Sequence, residues 1–152
     1  GDKFKSIALK NDIKGPWQTH ATVAGSWGYA SHNKHLHENP DRPADHFIYK
    51  LADIVSKGGV LLLNAAPNEL GEIPIGQANL LRRLGQWLKV NGEAIYDADP
   101  SPVRNPDLPI THKPGRLFFH VKIFISNGYT FRDTYFALSL SRKLMLYCLL
   151  LI

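Results

Sequence analysis

Four consecutive apolar residues, Val60-Leu61-Leu62-Leu63, place the tightest limit on what this chain can fold into. A strand with one wet face alternates apolar and polar side chains, so an unbroken run predicts a strand buried on both faces, as in a parallel sheet. The flanks agree. Between 44 and 57, Phe47, Ile48, Leu51, Ile54 and Val55 fall on one face of a helix, and Leu80, Leu81, Leu84, Trp87 and Leu88 repeat that spacing after Pro74. Asp41 or Asp45 can cap the first helix and Gly58-Gly59 can supply its positive-φ stop; Pro74 suits a helix start and Asn91-Gly92 a helix end. An earlier segment, Trp17 to Val23, mixes Thr, Val and aromatics and reads as a strand ending before Ala24-Gly25. Strand, helix, buried strand, helix is a βα repeat, with polar loops leaving the C-terminal ends of the strands. Only two such units are legible. An eight-unit barrel takes about 250 residues, so the reading leaves either a small open sheet or part of something larger.

Outside the repeat the composition changes. Residues 1–15 are polar apart from Ile7-Ala8-Leu9, a short strand or loop anchor, and residues 31–43 read as a long polar loop carrying His32, His35, His37 and Asp41. Pro100, Pro102, Pro106, Pro109 and Pro114 give 98–115 the composition of a linker. It separates a βα-rich part, 1–97, from a β-rich part, 116–152. Arg116 to Ser126 reads as one strand, but beyond Asn127-Gly128 no single period holds, and five of the seven Phe lie in 116–152. That shift, felt from about His120 onward, fits an aggregation-prone strand or a stretch foreign to the ancestral protein.

Charge excludes little. The net charge is +5, yet residues 1–116 hold 14 Lys/Arg against 12 Asp/Glu, and the excess comes largely from a tail whose only carboxylate is Asp133. With no accompanying motif, nucleic acid is not an expected partner. The nine residues LMLYCLLLI are about half of a bilayer crossing, so no membrane is expected either. One cysteine, Cys148, cannot form an internal disulfide, and GDKFKSIALKND lacks an apolar stretch of signal-peptide length. The compartment is therefore not set by the chain.

Several signals compete for a functional role. HNKHLH, 32–37, puts three imidazoles in six residues, with His20 and His46 as further candidates, but no Cys and no His-x3-His helical spacing supports zinc, and no metal is expected. Asp41, Asp45 and Asp53 read as a cap and solvated positions, and Glu69 and Glu72 as loop carboxylates within reach of a pocket. Trp17, Trp27 and Tyr29 are flat rings of the kind that stack on sugars, Trp17 being equally readable as core; Trp87 lies on a helix stripe and is core. Gly58-Gly59 precedes no helix and is no phosphate cradle, and Gly25-Ser26-Trp27-Gly28 is no nucleophile elbow.

Three segments in this order carry a resemblance: Pro16-Trp17-Gln18 with Ser26-Trp27-Gly28-Tyr29; Asp53-Ile54-Val55-Ser56-Lys57-Gly58-Gly59 with Leu61-Leu62-Leu63-Asn64 and Pro67; and Trp87-Leu88-Lys89-Val90-Asn91-Gly92-Glu93-Ala94-Ile95-Tyr96. Over about 14–120 the chain resembles the glycoside hydrolase family 29 α-L-fucosidases. The resemblance implies an α/β fold: late βα units of a TIM (β/α)8 barrel, incomplete here, followed by the first strand or strands of a β-sandwich. It implies retaining hydrolysis of terminal α-L-fucose on fucosylated carbohydrate, without metal or organic cofactor. The implied sugar-lining residues are Trp17, Trp27, Tyr29, Asn64 and Ala65, Asn64 being equally readable as a residue that ties the loop backbone. Ala65 stands where family members usually carry a larger apolar residue, Ala66 where Gly is usual, and Val60 where Asn is usual. The family nucleophile is an Asp on an earlier strand, expected outside this chain. Gln18 stands where many members carry a Glu that has been a candidate acid/base, and an amide cannot exchange a proton near neutral pH. The chain alone is thus expected to be inactive. The alternatives are a non-catalytic carbohydrate-binding module, a fragment that pairs with a missing N-terminal barrel portion, or a truncated or frame-shifted product without its own function. The implied parent enzymes are secreted, periplasmic or lysosomal.

Overall fold

The computed structural model describes the backbone of residues 15–103, 105, 108–126 and 131–141, with the side chains of these up to Val121 apart from Asn33. The Ile7–Leu9 segment and the 142–152 tail lie outside the described residues. Strand β1 (Trp17–Thr22) leads through a 3-10 turn (Ser31–Asn33) into a short helix α1 (Lys34–Glu38). Helix α2 (Ala44–Ser56), strand β2 (Gly59–Asn64) and helix α3 (Ile75–Asn91) follow. After a second 3-10 turn (Gly92–Ala94) come β3 (Asp99–Pro100), β4 (Ile110–Lys113), β5 (Arg116–Ser126) and β6 (Phe131–Ser141).

β1 and β2 pair in parallel, from Trp17 opposite Gly59 to Thr22 opposite Asn64. Side chains alternate across a strand. One face of the pair therefore carries Trp17, Thr19, Ala21, Leu61 and Leu63, and the other Gln18, His20, Thr22, Val60, Leu62 and Asn64. The first face is covered. Ala21, Val23, Ala44, Phe47 and Leu80 form a buried cluster against which Leu61, Leu63, Ala65 and Leu81 pack, and Ile48 and Leu84 form a second with Tyr49, Leu51, Trp87 and Leu88. Both expected stripes thus face the core, and each fully buried large side chain there stabilises by about 2 kcal/mol.

The other face is open, which corrects the expectation that β2 is buried on both sides. Val60 is 59% and Leu62 41% exposed. The apolar run is there, but α2 and α3 both lie on the same side of the sheet.

Other expectations shift locally. The histidine-rich stretch is helical, not a loop, because α1 closes onto the start of α3: a Cβ on Gly76 would fall on the carbonyl oxygen of Glu38. Neither Asp41 nor Asp45 caps α2. Pro43 takes the N-cap position without a side-chain bond, and Asp45 in the first turn instead meets Arg83 of α3 at 3.5 Å. Gly58, at φ 76°, ends α2 as expected. Gly59 must lack a side chain for a different reason, since any Cβ would enter the Trp17 ring.

β3 to β6 form a four-stranded antiparallel sheet in sequence order. Two of its strands, β3 and β4, lie inside the proline-rich segment read as a linker. β5 has the expected bounds and pairs along its whole length with β6, from Arg116 opposite Ser141 to Ser126 opposite Phe131. Ile110, Thr111, Leu117, Phe118 and His120 are buried in this sheet, which contacts α2. No helix among the described residues is long and apolar enough to cross a membrane.

Candidate functional site

Parallel pairing brings the C-terminal ends of β1 and β2 together, so the loops that leave them, 23–33 and 65–74, share one edge of the molecule. The amide of Val23 donates to Asn64 O at 2.9 Å and extends the ladder by one bond. Asn64 Nδ2 then donates to Trp27 O at 2.6 Å. The polar residue that ends the apolar strand therefore ties the two loops to each other.

That tie presents aromatic surface. Trp27 is 55% exposed and meets the His20 ring edge-on, at 5.4 Å between centroids and 87° between planes. Tyr29, half-buried, lies on the ring of His37 at 4.7 Å. Beside it an open cleft of about 410 Å³ is lined by Tyr29, Ser31, Pro67, Asn68 and Glu69. Its far wall is ordered by Asn68, whose Oδ1 accepts from the amides of Leu70 at 3.0 Å and Glu72 at 2.9 Å, while Nδ2 donates to Glu72 Oε2 at 3.2 Å. The edge thus offers an exposed indole, a backed phenol ring, and amide, hydroxyl and carboxylate groups. That set suits a small polyhydroxylated ligand with one apolar face.

Of the residues singled out from sequence, Trp27, Tyr29 and Asn64 come together here. Ala65 is half-buried and packs against the core cluster beneath them. Trp17 and Gln18 are not brought to this edge, since both occupy the N-terminal end of β1. Trp17 packs on Gly59 and its Nε1 donates to Lys57 O at 3.2 Å, on the helix side of the sheet. Gln18 is exposed on the open face opposite Val60. It lies four positions before Thr22, about 13 Å along a strand. Asp53 pairs with Lys57 one helical turn away.

The histidines divide. His32 and His35 are exposed, whereas His37 is wholly buried, held by Gln77 Nε2 at 3.1 Å from its Nδ1 and by Ser26 Oγ at 3.3 Å from its Nε2. Among the described residues no three His, Cys, Asp or Glu gather as metal ligands. His46 lies elsewhere, its pKa held below the usual value by burial and then by the Arg42 and Lys50 charges. Sequence reasoning missed Gln77, a polar residue in the first turn of an amphipathic helix. The one signal available was its spacing, three and seven positions before Leu80 and Leu84 on the buried stripe of α3.

Comparison with known proteins gives a consistent picture. A family model described as Alpha-L-fucosidase matches residues 3–93. The plasma alpha-L-fucosidase of Rattus norvegicus is 36% identical over 103 residues, 64% of this chain and 22% of the relative. An alpha-L-fucosidase of Dictyostelium discoideum is 33% identical over 124 residues, 82% of this chain and 26% of the relative. Among solved structures, alpha-L-fucosidase isoenzyme 1 of Paenibacillus thiaminolyticus superimposes with a TM-score of 0.62 at 30% identity, over 74% of this chain and 28% of that one. The Thermotoga maritima alpha-fucosidase solved in complex with fucose gives 0.61 at 32%, over 74% of this chain and 27% of that one. The chain spans about a quarter of the length of these proteins.

Proposed function

The chain belongs to the alpha-L-fucosidase family of glycoside hydrolases, and on that premise we propose that it supplies the sugar-facing edge of a fucosidase site without its attacking group. In this reading β1–α2 and β2–α3 are late units of a (β/α)8 barrel, whose substrate site lies at the C-terminal ends of the strands. The antiparallel sheet β3–β6 is the start of a C-terminal sandwich. Terminal α-L-fucose of a fucosylated glycan sits against Trp27 and Tyr29, its hydroxyls facing Asn68, Ser31 and Glu69. The observation that carries the reading is the Asn64–Trp27 bond, which fixes an exposed indole at the edge shared by both strand ends.

The chemistry needs more than this edge. Retaining hydrolysis requires two carboxyl groups about 5 Å apart, one attacking the anomeric carbon and one protonating the leaving oxygen. The attacking Asp belongs in this reading to an earlier barrel strand outside the chain. Gln18 bears no acid, and its place about 13 Å from the strand ends sets it away from the proposed sugar. The proton donor is accordingly sought elsewhere, and no metal or organic cofactor is invoked. The remaining barrel strands are the partner that the open face would take: Val60 and Leu62 are apolar, exposed and adjacent, as residues filling a barrel interior are.

Two measurements test the proposal. L-fucose titrated against the purified chain should quench Trp27 fluorescence with millimolar affinity, and Trp27→Ala should abolish the response; an unchanged response in that variant refutes the proposed edge. A chromogenic α-L-fucoside should not be turned over by the chain alone but should be cleaved when an N-terminal barrel portion is added. Turnover without that addition refutes the absence of the attacking carboxylate.

A further inference from the structure

We infer that Gln77 and His37 are positioning residues: a one-directional hydrogen-bond chain, buried at Gln77 and His37, runs from Ala66 to Gly28 and fixes the turn that carries Trp27 and Tyr29. The geometry begins with an amide clamp. Ala66 N–H donates to Gln77 Oε1 at 3.0 Å, and Gln77 Nε2 donates to Ala66 O at 3.3 Å. Two backbone groups of one residue thereby determine which end of the Gln77 amide is oxygen and which nitrogen. The second hydrogen on Gln77 Nε2 is left facing His37 Nδ1 at 3.1 Å. A donor aimed at Nδ1 requires that nitrogen to be bare, so the neutral ring carries its proton on Nε2. Nε2–H then donates to Ser26 Oγ at 3.3 Å, and the Ser26 hydroxyl donates to Gly28 O at 2.7 Å.

The links stand on four separate segments of the chain. Ala66 is in the loop after β2, Gln77 in the first turn of α3, His37 in α1, and Ser26 and Gly28 in the loop after β1. Gln77 reaches His37 because Gly76 lets α3 touch the backbone of Glu38. His37 and Gln77 are both 0% exposed. In that dry setting an unmade link costs far more than it does in water, which holds the direction of the Ala66–Gln77–His37 links. Tyr29 rests on the His37 ring, and Trp27 lies between Ser26 and Gly28, whose side chain and carbonyl close the relay. One contact opposes the assignment. The amide of Ala30 lies 3.3 Å from the same Nε2 and would prefer that nitrogen bare. It is as long as the Ser26 contact to that nitrogen, and the assignment follows the shorter Gln77 contact at Nδ1, whose donor end the Ala66 clamp fixes.

The consequence for ligand affinity rests on the carbohydrate reading above; the relay itself does not. Two-bond proton–nitrogen correlations on the histidine rings read the tautomer directly, the His37 signals being those missing from His37→Gln. In the wild-type chain Nδ1 should be bare and Nε2 protonated, and a proton on Nδ1 overturns the relay. Gln77→Glu keeps an acceptor for Ala66 N–H but turns the second atom into an acceptor, so it should move the ring proton to Nδ1, a signature that simple loss of packing would not give. If that variant does not fold, Ser26→Ala decides. It removes the last two links, those of the Ser26 hydroxyl with His37 Nε2 and with Gly28 O, and should raise amide exchange across residues 27–30 by about tenfold. A folded Ser26→Ala chain with unchanged exchange overturns the relay too. L-fucose should bind Ser26→Ala about tenfold more weakly than wild type. A wild-type chain with the assigned tautomer and no affinity for L-fucose would sink the carbohydrate reading and leave the relay standing.

Discussion

His120 should make the stability of this protein fall as the solution is acidified, and the structure sets the size of the effect. The residue lies in β5 and is 2% exposed. Thr111 Oγ1 donates to Ala94 O at 2.7 Å, so its oxygen is left to accept from His120 Nε2–H at 3.1 Å. Nδ1 is buried with no hydrogen-bond partner among the described residues. A proton added there would place an imidazolium N–H where nothing accepts it, and burial accordingly pushes the pKa down from 6.5 to about 4. The folded state thus binds this proton less readily than the unfolded chain does. The stabilisation is present above pH 6.5 and is lost as the pH falls through 6.5 toward 4. At about 1.4 kcal/mol per pH unit the full loss is about 3 kcal/mol, of which about 2 is gone by pH 5. Urea unfolding between pH 7.5 and 4.5 measures it, with His120→Gln as the reference in which this titration is absent while the lowered pKa of His46 is retained. The two chains should converge in stability by about 2 kcal/mol between pH 7 and 5. Parallel pH profiles would refute the argument that Nδ1 is buried without a partner.

Other expectations follow from packing at named positions. Gly76→Ala should cost about 2 kcal/mol or more, read as a lower urea midpoint, because its Cβ would enter the Glu38 carbonyl and neither backbone can move independently. Phe47→Ala should cost about 3 to 5 kcal/mol by the same measurement, since Phe47 is wholly buried in the cluster between α2 and the sheet. Leu62→Ser, on the open face of β2, should change stability by less than about 0.5 kcal/mol; a core-sized loss would show that this face is covered after all. Asn64→Ala should release the Trp27 loop and raise iodide quenching of its fluorescence, with about 1 kcal/mol lost.

Much of the architecture was legible because local patterns suffice for it. The spacing of Phe47, Ile48, Leu51 and Ile54 and of Leu80, Leu81, Leu84, Trp87 and Leu88 specifies which side of each helix coheres with a core, and that holds wherever the core lies. Arg116–Ser126 reads as a strand since its apolar residues need a sheet. Asn64 could be suspected because a polar residue closing an apolar strand has to be satisfied by something. Ser26-Trp27-Gly28-Tyr29 and the Lys57-Gly58-Gly59 stop carried the family by order and spacing.

The remainder depends on what lies across space from a residue, which no period along the chain encodes. An apolar tetrad predicts two covered faces for β2, yet the placement of α2 and α3 on one side leaves Val60 and Leu62 open. Trp17 and Trp27 are equally aromatic in sequence; the direction of β1 puts one at the helix-covered start of the strand and the other at the shared edge. HNKHLH reads as a polar loop until the contact of α1 with Gly76 buries His37 against Gln77. The chain by itself determined α2, α3, β1, β2, β5 and its kinship, because these follow from the spacing of like residues. The tertiary structure alone decided which polar groups face each other, because a hydrogen bond forms between atoms a few ångströms apart, however many residues separate them.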